Sequence, residues 1–316
     1  MATSEGTWAY RDRFGDAFGR TYFRRFGPGV VASVGAGTYL GDPTDAVDER
    51  YLETLVTALE NGCNLIDTAV NYRCERSERV VGRALRGAAV DREEVVVATK
   101  GGFLPFDGTP PDDPGVYVRE RFVEPGLVDP ADLARGSHCI APEFLDTMLD
   151  RSLDNLGLDS VDLYYVHNPE TQLATRDRSA VYDALEDAFV RLEERRAAGD
   201  IGAYGVATWE AFRVPPSDDA HLSLPVVLER AAAAARRAGR EPDDHGLVAV
   251  QLPFNVVMAD AFGRATHGEG EDARSALDVA HEAGVGVFAS ASLAQGRLAE
   301  ELPSGIEAEL SGDTPA

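Results

Sequence analysis

The chain has 316 residues, 44% of them hydrophobic and 8% aromatic, which is the composition of a chain that buries a full core. Its net charge of −24 would repel nucleic acids and anionic membrane surfaces, which excludes both as main partners. No stretch is apolar enough for a signal peptide or a membrane span, so we predict a cytoplasmic protein.

The acidic residues are spread along the whole chain and form no tail. We interpret them as the solvated surface of a halophilic protein, on which concentrated salt screens the repulsion between carboxylates. The three cysteines, Cys63, Cys74 and Cys139, form no CxxC pair and predict neither a disulfide framework nor a zinc site.

The predicted elements alternate along the chain between short β-branched runs and amphipathic stretches. Residues 21–30 are expected to form a hairpin, because an aromatic run there is followed by a Gly-Pro-Gly turn. The predicted strands of the main sheet cover residues 30–35, 64–69, 95–100, 163–167, 202–207, 247–252 and 284–289. This alternation is typical of a parallel sheet built from βα units.

Between the strands, apolar residues recur every three or four positions, as they do in an amphipathic helix. The first predicted helix covers residues 48–61 and is followed by Gly62, which suits a helix end. The second is expected to begin with Ser77 as its N-cap and to end at Gly87. A third ends near Gly199 and carries the apolar stripe Val181, Leu185, Phe189 and Leu192.

Two segments have no clear periodicity, residues 101–140 after the third strand and residues 213–222 after the fifth. Long loops at the carboxyl ends of barrel strands commonly cover an active site.

From the alternation of strands and helices we predict an α/β fold, a TIM-type (β/α)8 barrel, in one domain that spans residues 1–316. Seven strands precede a polar end about one helix long, so the eighth βα unit is missing at the C-terminus, and we interpret the chain as truncated.

Polar residues stand at the carboxyl ends of the predicted strands, which open on one mouth of a parallel barrel, where active sites of this architecture lie. They are Thr38, Asp67, Lys100, His167, Thr208 and Gln251. Lys100 is the only lysine among the 30 basic residues. A lysine ammonium is a compact charge whose pKa can be tuned, whereas Arg is always protonated, so a lone lysine at this position indicates a chemical role.

Three of these side chains form a chemical unit with Tyr72. Asp67, Lys100 and His167 end successive strands, and Tyr72 follows Asp67 closely enough for its hydroxyl to return to the mouth. A tyrosine hydroxyl with its usual pKa of about 10 is a poor proton donor at neutral pH, but a neighbouring ammonium lowers that pKa. A carboxylate keeps the ammonium charged, and a neutral histidine can donate a hydrogen bond to a carbonyl oxygen. The set predicts carbonyl reduction, in which a proton reaches oxygen and a hydride reaches carbon.

The segments that carry these residues resemble the aldo-keto reductase family. The run NLIDTAVNY at residues 64–72, with RSE at 76–78 and VGRAL at 81–85, is similar to the family signature around an Asp and a Tyr. Residues 95–100 resemble its strand that ends in a catalytic Lys, and VDLYYVHN at 161–168 resembles its strand that ends in a His. The resemblance extends from about residue 21 to residue 302 and implies an NADPH-dependent reductase of aldehydes or ketones, with NADH as the alternative cofactor.

The resemblance implies that Tyr72 is the general acid, that Lys100 lowers its pKa, that Asp67 holds Lys100, and that His167 orients the substrate. The positions that it implies against the cofactor are Gly37, Thr38, Tyr39, Thr208, Gln251, Ser290, Ser292 and Leu293. Two of them depart from the family pattern. Thr208 stands where a Ser-Asn pair is usual, and Ser290 replaces a Tyr that stacks on the nicotinamide.

Three other interpretations compete with this one. Gly35, Gly37 and Gly41 resemble a dinucleotide-binding turn, but their spacing and the late helix do not match that fingerprint. A metal-dependent barrel hydrolase would need clustered ligands, but the six histidines have neither HxH nor HExxH spacing, so no metal site is predicted. A chain without the eighth unit could also be a non-catalytic binding or regulatory protein. The expected partners are a small-molecule carbonyl substrate and, to complete the barrel, a second copy or another chain.

Overall fold

The N-terminal segment forms a helix and a hairpin in the computed structural model, which describes residues 1–27 and 29–300. Helix α1 (Ser4–Phe14) is capped by the Thr3 side chain, which accepts a hydrogen bond from the Gly6 N–H. Strands β1 (Phe23–Phe26) and β2 (Gly29–Ala32) follow and pair antiparallel, as expected for residues 21–30. Helix α1 was not predicted, because its residues have no clear apolar stripe.

Seven further strands form one parallel sheet, and their order in space follows their order along the chain. They are β3 (Ala36–Gly37), β4 (Leu65–Asp67), β5 (Val96–Gly101), β6 (Val161–His167), β7 (Ile201–Ala207), β8 (Leu247–Pro253) and β9 (Gly286–Ser290). The sheet curls as in a (β/α)8 barrel, so the predicted fold class is confirmed, with seven barrel strands in the described residues.

Helices connect the strands. They are α2 (Asp45–Glu60), α3 (Arg76–Gly87), α4 (Pro114–Val118), α5 (Pro142–Leu156), α6 (Arg178–Ala198), α7 (Leu224–Arg237), α8 (Asp260–Gly263) and α9 (Ala276–Glu282). Short 3-10 turns lie at Gly15–Ala17, Arg92–Glu94, Pro169–Ala174, Pro242–Asp244, Gly270–Asp272 and Arg297–Ala299, and a π turn at Arg119–Val123. Across the described ranges, no helix has the length and apolarity to cross a membrane. Of the polar end predicted after β9, the structure describes the part up to residue 300, which contains the turn Arg297–Ala299, and residues 301–316 lie outside the described residues.

The first strand predicted for the main sheet, residues 30–35, is wrong in its bounds. Val30 and Val31 belong to hairpin strand β2, and the sheet begins only at β3. The hairpin strand is as apolar as a barrel strand because it is buried against α1, where the Val30 N–H donates to Thr7 Oγ1 at 3.3 Å. Apolar content alone therefore cannot separate the two elements.

The prediction that Ser77 caps α3 is also wrong. The residue before the helix is Glu75, in the left-handed conformation with φ +67°, and its side chain makes no capping hydrogen bond. The Ser77 hydroxyl instead donates to the Thr38 carbonyl oxygen at 2.7 Å, which ties α3 to the loop after β3.

The core has two parts, one between the sheet and the helices and one inside the curl of the sheet. The interior cluster consists of Ala98, Leu163, Tyr165, Ala207 and Ala249. In the outer part, α3 and α5 approach so closely that a Cβ added at Gly82 would lie 2.2 Å from the Leu156 carbonyl oxygen. Close packing on both faces fixes the positions of the strand ends that surround the mouth.

Candidate active site

The structure brings Asp67, Tyr72, Lys100 and His167 together at the carboxyl ends of β4, β5 and β6. Lys100 Nζ donates to Asp67 Oδ1 at 2.5 Å and to the Thr68 carbonyl oxygen at 2.8 Å, and its side chain is 0% exposed. The same nitrogen lies 4.9 Å from the centre of the Tyr72 ring. The Tyr72 and His167 rings are 5.8 Å apart, edge to face.

A strained turn returns the chain from Tyr72 into α3. Arg73, Cys74 and Glu75 all have positive φ, at +49°, +57° and +67°, a conformation that L residues seldom adopt. The buried Arg73 guanidinium compensates this strain by donating to the Asp42 carbonyl oxygen at 3.0 Å and to Asp48 Oδ1 at 2.5 Å. The placement of the Tyr72 ring therefore depends on contacts behind the mouth.

Burial and neighbouring charges shift the pKa values of Lys100 and Tyr72 in opposite directions. Burial lowers the pKa of Lys100, but Asp67 and Tyr72 raise it, and the result lies above the ordinary value, so the amine is charged at neutral pH. Burial raises the pKa of Tyr72, and Lys100 lowers it. The result stays above the ordinary value, so Lys100 offsets only part of the effect of burial, unlike the expectation from the sequence.

His167 is neutral. Burial, followed by the charge of Lys100 and the proximity of His138, holds its pKa well below the usual range. Its Nδ1 is buried without a hydrogen-bond partner in residues 1–27 and 29–300. The same described residues contain no cluster of three or more His, Cys, Asp or Glu side chains that could hold a metal ion.

Three of the residues implied against a cofactor lie at the end of β3 or just after it, and their placements differ. Gly37 is exposed at the end of the strand, and Thr38 is buried, with its Oγ1 donating to Thr68 Oγ1 at 2.9 Å. Tyr39 is largely exposed, and its ring centre lies 5.1 Å from that of Tyr72. This loop therefore borders the four central side chains.

The other implied residues lie at or just after the carboxyl ends of β7, β8 and β9. Thr208 is buried, and its Oγ1 has no hydrogen-bond partner in the described part of the chain. Gln251 donates from Nε2 to Asp67 Oδ2 at 2.8 Å, so it contacts the central group directly. Ser290 ends β9, followed by the exposed Ser292 and Leu293.

Two charged side chains that the sequence analysis missed hold the peptide groups of Trp209, just after β7. The Glu170 carboxylate accepts hydrogen bonds from the Trp209 N–H at 2.6 Å and the Glu210 N–H at 3.1 Å. Arg213 Nε donates to the Trp209 carbonyl oxygen at 3.0 Å, and its NH1 donates to Asp260 Oδ2 at 3.1 Å. The loops after β6, β7 and β8 are thereby joined. The position of Glu170, three residues after His167, was the only available signal.

A second missed group lies beside His167. His138 is fully buried, and its Nε2 lies 2.7 Å from the His167 carbonyl oxygen. Gln172 Nε2 lies 3.0 Å from His138 Nδ1. The ring of Phe103 packs edge to face on both histidines, at 4.8 Å from His138 and 5.1 Å from His167. From the sequence alone, His138 is only one of six histidines without metal-ligand spacing.

The sequence matches the family model for the aldo/keto reductase family over residues 33–309. A similar protein is the 2,5-diketo-D-gluconic acid reductase B of Corynebacterium sp., 32% identical over 162 residues, which are 51% of this chain and 43% of that protein. Another is the NADH-specific methylglyoxal reductase of Escherichia coli, 29% identical over 191 residues, which are 60% of this chain and 50% of that protein. The chain thus spans about half the length of these curated relatives.

Solved structures resemble the chain more extensively. An aldo-keto reductase from Bacillus halodurans in its holo form matches with a TM-score of 0.56 and 22% identity, over 90% of this chain and 70% of that one. An aldo/keto reductase from Klebsiella pneumoniae in complex with NADP and acetate matches with a TM-score of 0.52 and 21% identity, over 92% and 77% of the two chains. At these identities the likeness supports the fold alone.

Proposed function

The chain belongs to the aldo/keto reductase family, and on that premise we propose that it reduces an aldehyde or a ketone to an alcohol with a nicotinamide dinucleotide. The observation that carries the proposal is the buried Lys100 ammonium, which contacts Asp67 at 2.5 Å and lies 4.9 Å from the Tyr72 ring centre. A fully buried cation is costly unless it is paired, so its presence beside a phenol indicates chemistry on that phenol.

In this proposal the Tyr72 hydroxyl donates the proton that the carbonyl oxygen receives. Its raised pKa keeps the phenol protonated at neutral pH. Loss of the proton leaves a phenolate beside the Lys100 ammonium, which stabilises it and limits the cost of the transfer. Asp67 keeps the ammonium charged and accepts its hydrogen bond, so it acts through Lys100.

His167 would hold the substrate carbonyl. A neutral imidazole carries one N–H, which can donate to the carbonyl oxygen and favour the negative charge that develops there. The low pKa of His167, caused by burial and then by the charge of Lys100, supports this role because it keeps the imidazole neutral. His167 and Tyr72, with ring centres 5.8 Å apart, could then both donate to the same carbonyl oxygen.

The residues around the mouth fit a nicotinamide cofactor, which supplies a hydride when it is bound. Thr208 Oγ1 is buried and unpartnered in the described residues, so it is available to a carboxamide. Gln251 has its amide nitrogen on Asp67, which leaves its amide oxygen for the cofactor. We propose NADPH, with NADH as the alternative; NADP is bound in the Klebsiella structure, and one relative is an NADH-specific reductase.

The test is a fluorescence titration of the purified protein with NADPH and NADH, followed by cofactor consumption with a simple aldehyde. We expect Tyr72→Phe to bind cofactor normally and to lose about 10²–10⁴-fold in rate. Tyr22→Phe is the matched control, because Tyr22 stacks on Phe18 before the hairpin strands and away from the mouth. Reduction that survives in Tyr72→Phe would refute the role of Tyr72. A folded protein that binds neither cofactor would favour the non-catalytic alternative.

A further inference from the structure

His167 lacks the usual anchor of a functional histidine. Such a residue is normally oriented by a hydrogen bond from its second ring nitrogen to a carboxylate or a carbonyl. Here Nδ1 is buried and has no partner in the described residues. The next residue, Asn168, has a positive φ of +46°, so the strand ends at His167 itself. The orientation of the imidazole must therefore be fixed by other contacts.

His138 holds the main chain of His167. A carbonyl oxygen can only accept a hydrogen bond, so the 2.7 Å contact places the proton of His138 on Nε2. Its Nδ1 then accepts from Gln172 Nε2 at 3.0 Å, which fixes the same tautomer from the other side. Burial lowers the pKa of His138 to about 4, so the ring stays neutral over the physiological range and its donor is retained.

The contact between His138 and His167 also connects the long segment of residues 101–140 to the mouth of the barrel. Phe103 and His138 form an antiparallel bridge, with the Leu104 N–H donating to the Ser137 carbonyl oxygen at 2.9 Å and the Cys139 N–H to that of Gly102 at 2.8 Å. These bonds close the base of the loop directly on His167. A Cβ added at Gly102, where φ is +152°, would lie 2.6 Å from the His167 carbonyl oxygen, so the packing leaves no space there.

We propose that His138 is a positioning residue that fixes the backbone of His167 and, through the Phe103 ring packed on both histidines, the orientation of its imidazole. His138 is fully buried, so it acts through His167 and contacts no substrate. The consequence for activity rests on the proposed reductase function, whereas the effect on the His167 ring does not. The base of the segment 101–140 and His167 are thus held in a fixed position relative to each other.

The test uses His138→Leu, which removes the donor, and His138→Gln, whose amide nitrogen can still donate to the His167 carbonyl oxygen. His267→Leu is the matched control, because His267 is also buried, with Nε2 3.1 Å from the Phe212 carbonyl oxygen and Nδ1 accepting from the Leu224 N–H at 3.2 Å. Both leucine variants lose two hydrogen bonds of a buried imidazole, but only His138→Leu releases His167.

The first readout is the imidazole region of ¹H–¹⁵N NMR spectra of the protein without cofactor. We expect the His167 signals to shift or broaden in His138→Leu, to return towards their original positions in His138→Gln, and to stay in place in His267→Leu. The second readout is steady-state kinetics. We expect kcat of His138→Leu to fall by about 10- to 100-fold, the effect of misplacing a catalytic group by about 1 Å, with an unchanged Kd for NADPH.

Unchanged His167 signals in a folded His138→Leu, together with a kcat equal to that of His267→Leu, would overturn the proposal. If the wild type shows no reductase activity, the proposed function fails while the NMR spectra still decide the positioning role. Should His138→Leu not fold, Phe103→Leu takes its place, because it removes the ring that packs on both histidines and through which His138 orients the His167 imidazole. A folded Phe103→Leu without any change in the His167 signals would also overturn the proposal.

Discussion

Replacing Asp67 by Asn would leave the Lys100 ammonium buried without its counter-charge. The two groups are 2.5 Å apart, the Lys100 side chain is 0% exposed and that of Asp67 is 25% exposed. Removing one partner of a buried pair costs about 3–5 kcal/mol. Because solvent reaches part of Asp67 and screens the pair, we expect the free energy of unfolding to fall by about 2–3 kcal/mol at neutral pH. The Asn amide also faces two donors, Lys100 Nζ and Gln251 Nε2, with only one oxygen.

The pH dependence of this loss has a defined sign. In the wild type, burial lowers the pKa of Lys100, but Asp67 and Tyr72 raise it above its unfolded value of about 10.4. The contribution of the pair is therefore fully present below the unfolded pKa and is lost as the pH rises through the folded one. In Asp67→Asn, burial dominates and the folded pKa of Lys100 falls below the unfolded one. The unfolded state then binds more protons than the folded one. The free energy of unfolding of the variant therefore rises with pH, by up to about 1.4 kcal/mol per pH unit between the two pKa values.

The assay is urea unfolding of both proteins from pH 7 to pH 10. We expect the difference in unfolding free energy between wild type and Asp67→Asn to shrink as the pH rises. Lys100→Met and the double variant serve as controls, because without the ammonium the Asp67 substitution should cost little and its cost should not depend on pH. A difference that stays constant from pH 7 to pH 10 would refute the reasoning, because it would show that the loss comes from hydrogen bonding and not from the buried charge.

Three further predictions concern the Glu170 hydrogen bonds, the helix packing and the acidic surface. Glu170→Gln should weaken the charge-assisted bonds to the Trp209 and Glu210 N–H groups and lower the unfolding free energy by about 1–2 kcal/mol, whereas the exposed control Glu49→Gln should not. Equal losses in the two variants would contradict a stabilising role of these bonds. Gly82→Ala should cost about 1–3 kcal/mol by urea unfolding, and Gly87→Ala, where the nearest atom is 3.9 Å away, should cost less; a tolerated Gly82→Ala would contradict the packing argument. Wild-type stability should rise with KCl, since 54 acidic residues face 30 basic ones, and a fall with KCl would contradict a halophilic surface.

The sheet could be predicted from the sequence because its strands are apolar runs whose ends carry polar residues. The run before Lys100 is an example, since β5 is buried along its whole length. The first barrel strand could not be found in this way. It has only two residues, Ala36 and Gly37, which is too short for any pattern of burial. Helix α1 was missed for a related reason, since only Thr7 and Tyr10 of its residues are buried.

In the candidate site, Asp67, Lys100 and His167 could be predicted from their positions at strand ends. The supporting residues could not, because their partners are main-chain groups. The carboxylate of Glu170 accepts from N–H groups, and His138 donates to a carbonyl oxygen. Nearly every residue carries a main-chain N–H and a carbonyl oxygen, so no pattern of side chains in the sequence predicts which of them Glu170 and His138 bind. The net pKa of Tyr72 was likewise beyond the sequence, because it depends on how deeply the ring is buried.

The burial of the only lysine also determines when a lysine-specific protease can cleave this protein. An enzyme that cleaves only after lysine has a single site in the chain, the bond between Lys100 and Gly101. That bond lies in β5, which is hydrogen-bonded to β4 on one side and to β6 on the other. Cleavage requires the strand to leave the sheet, so the rate of digestion into two fragments would measure the opening of the barrel itself and would not respond to mobile loops.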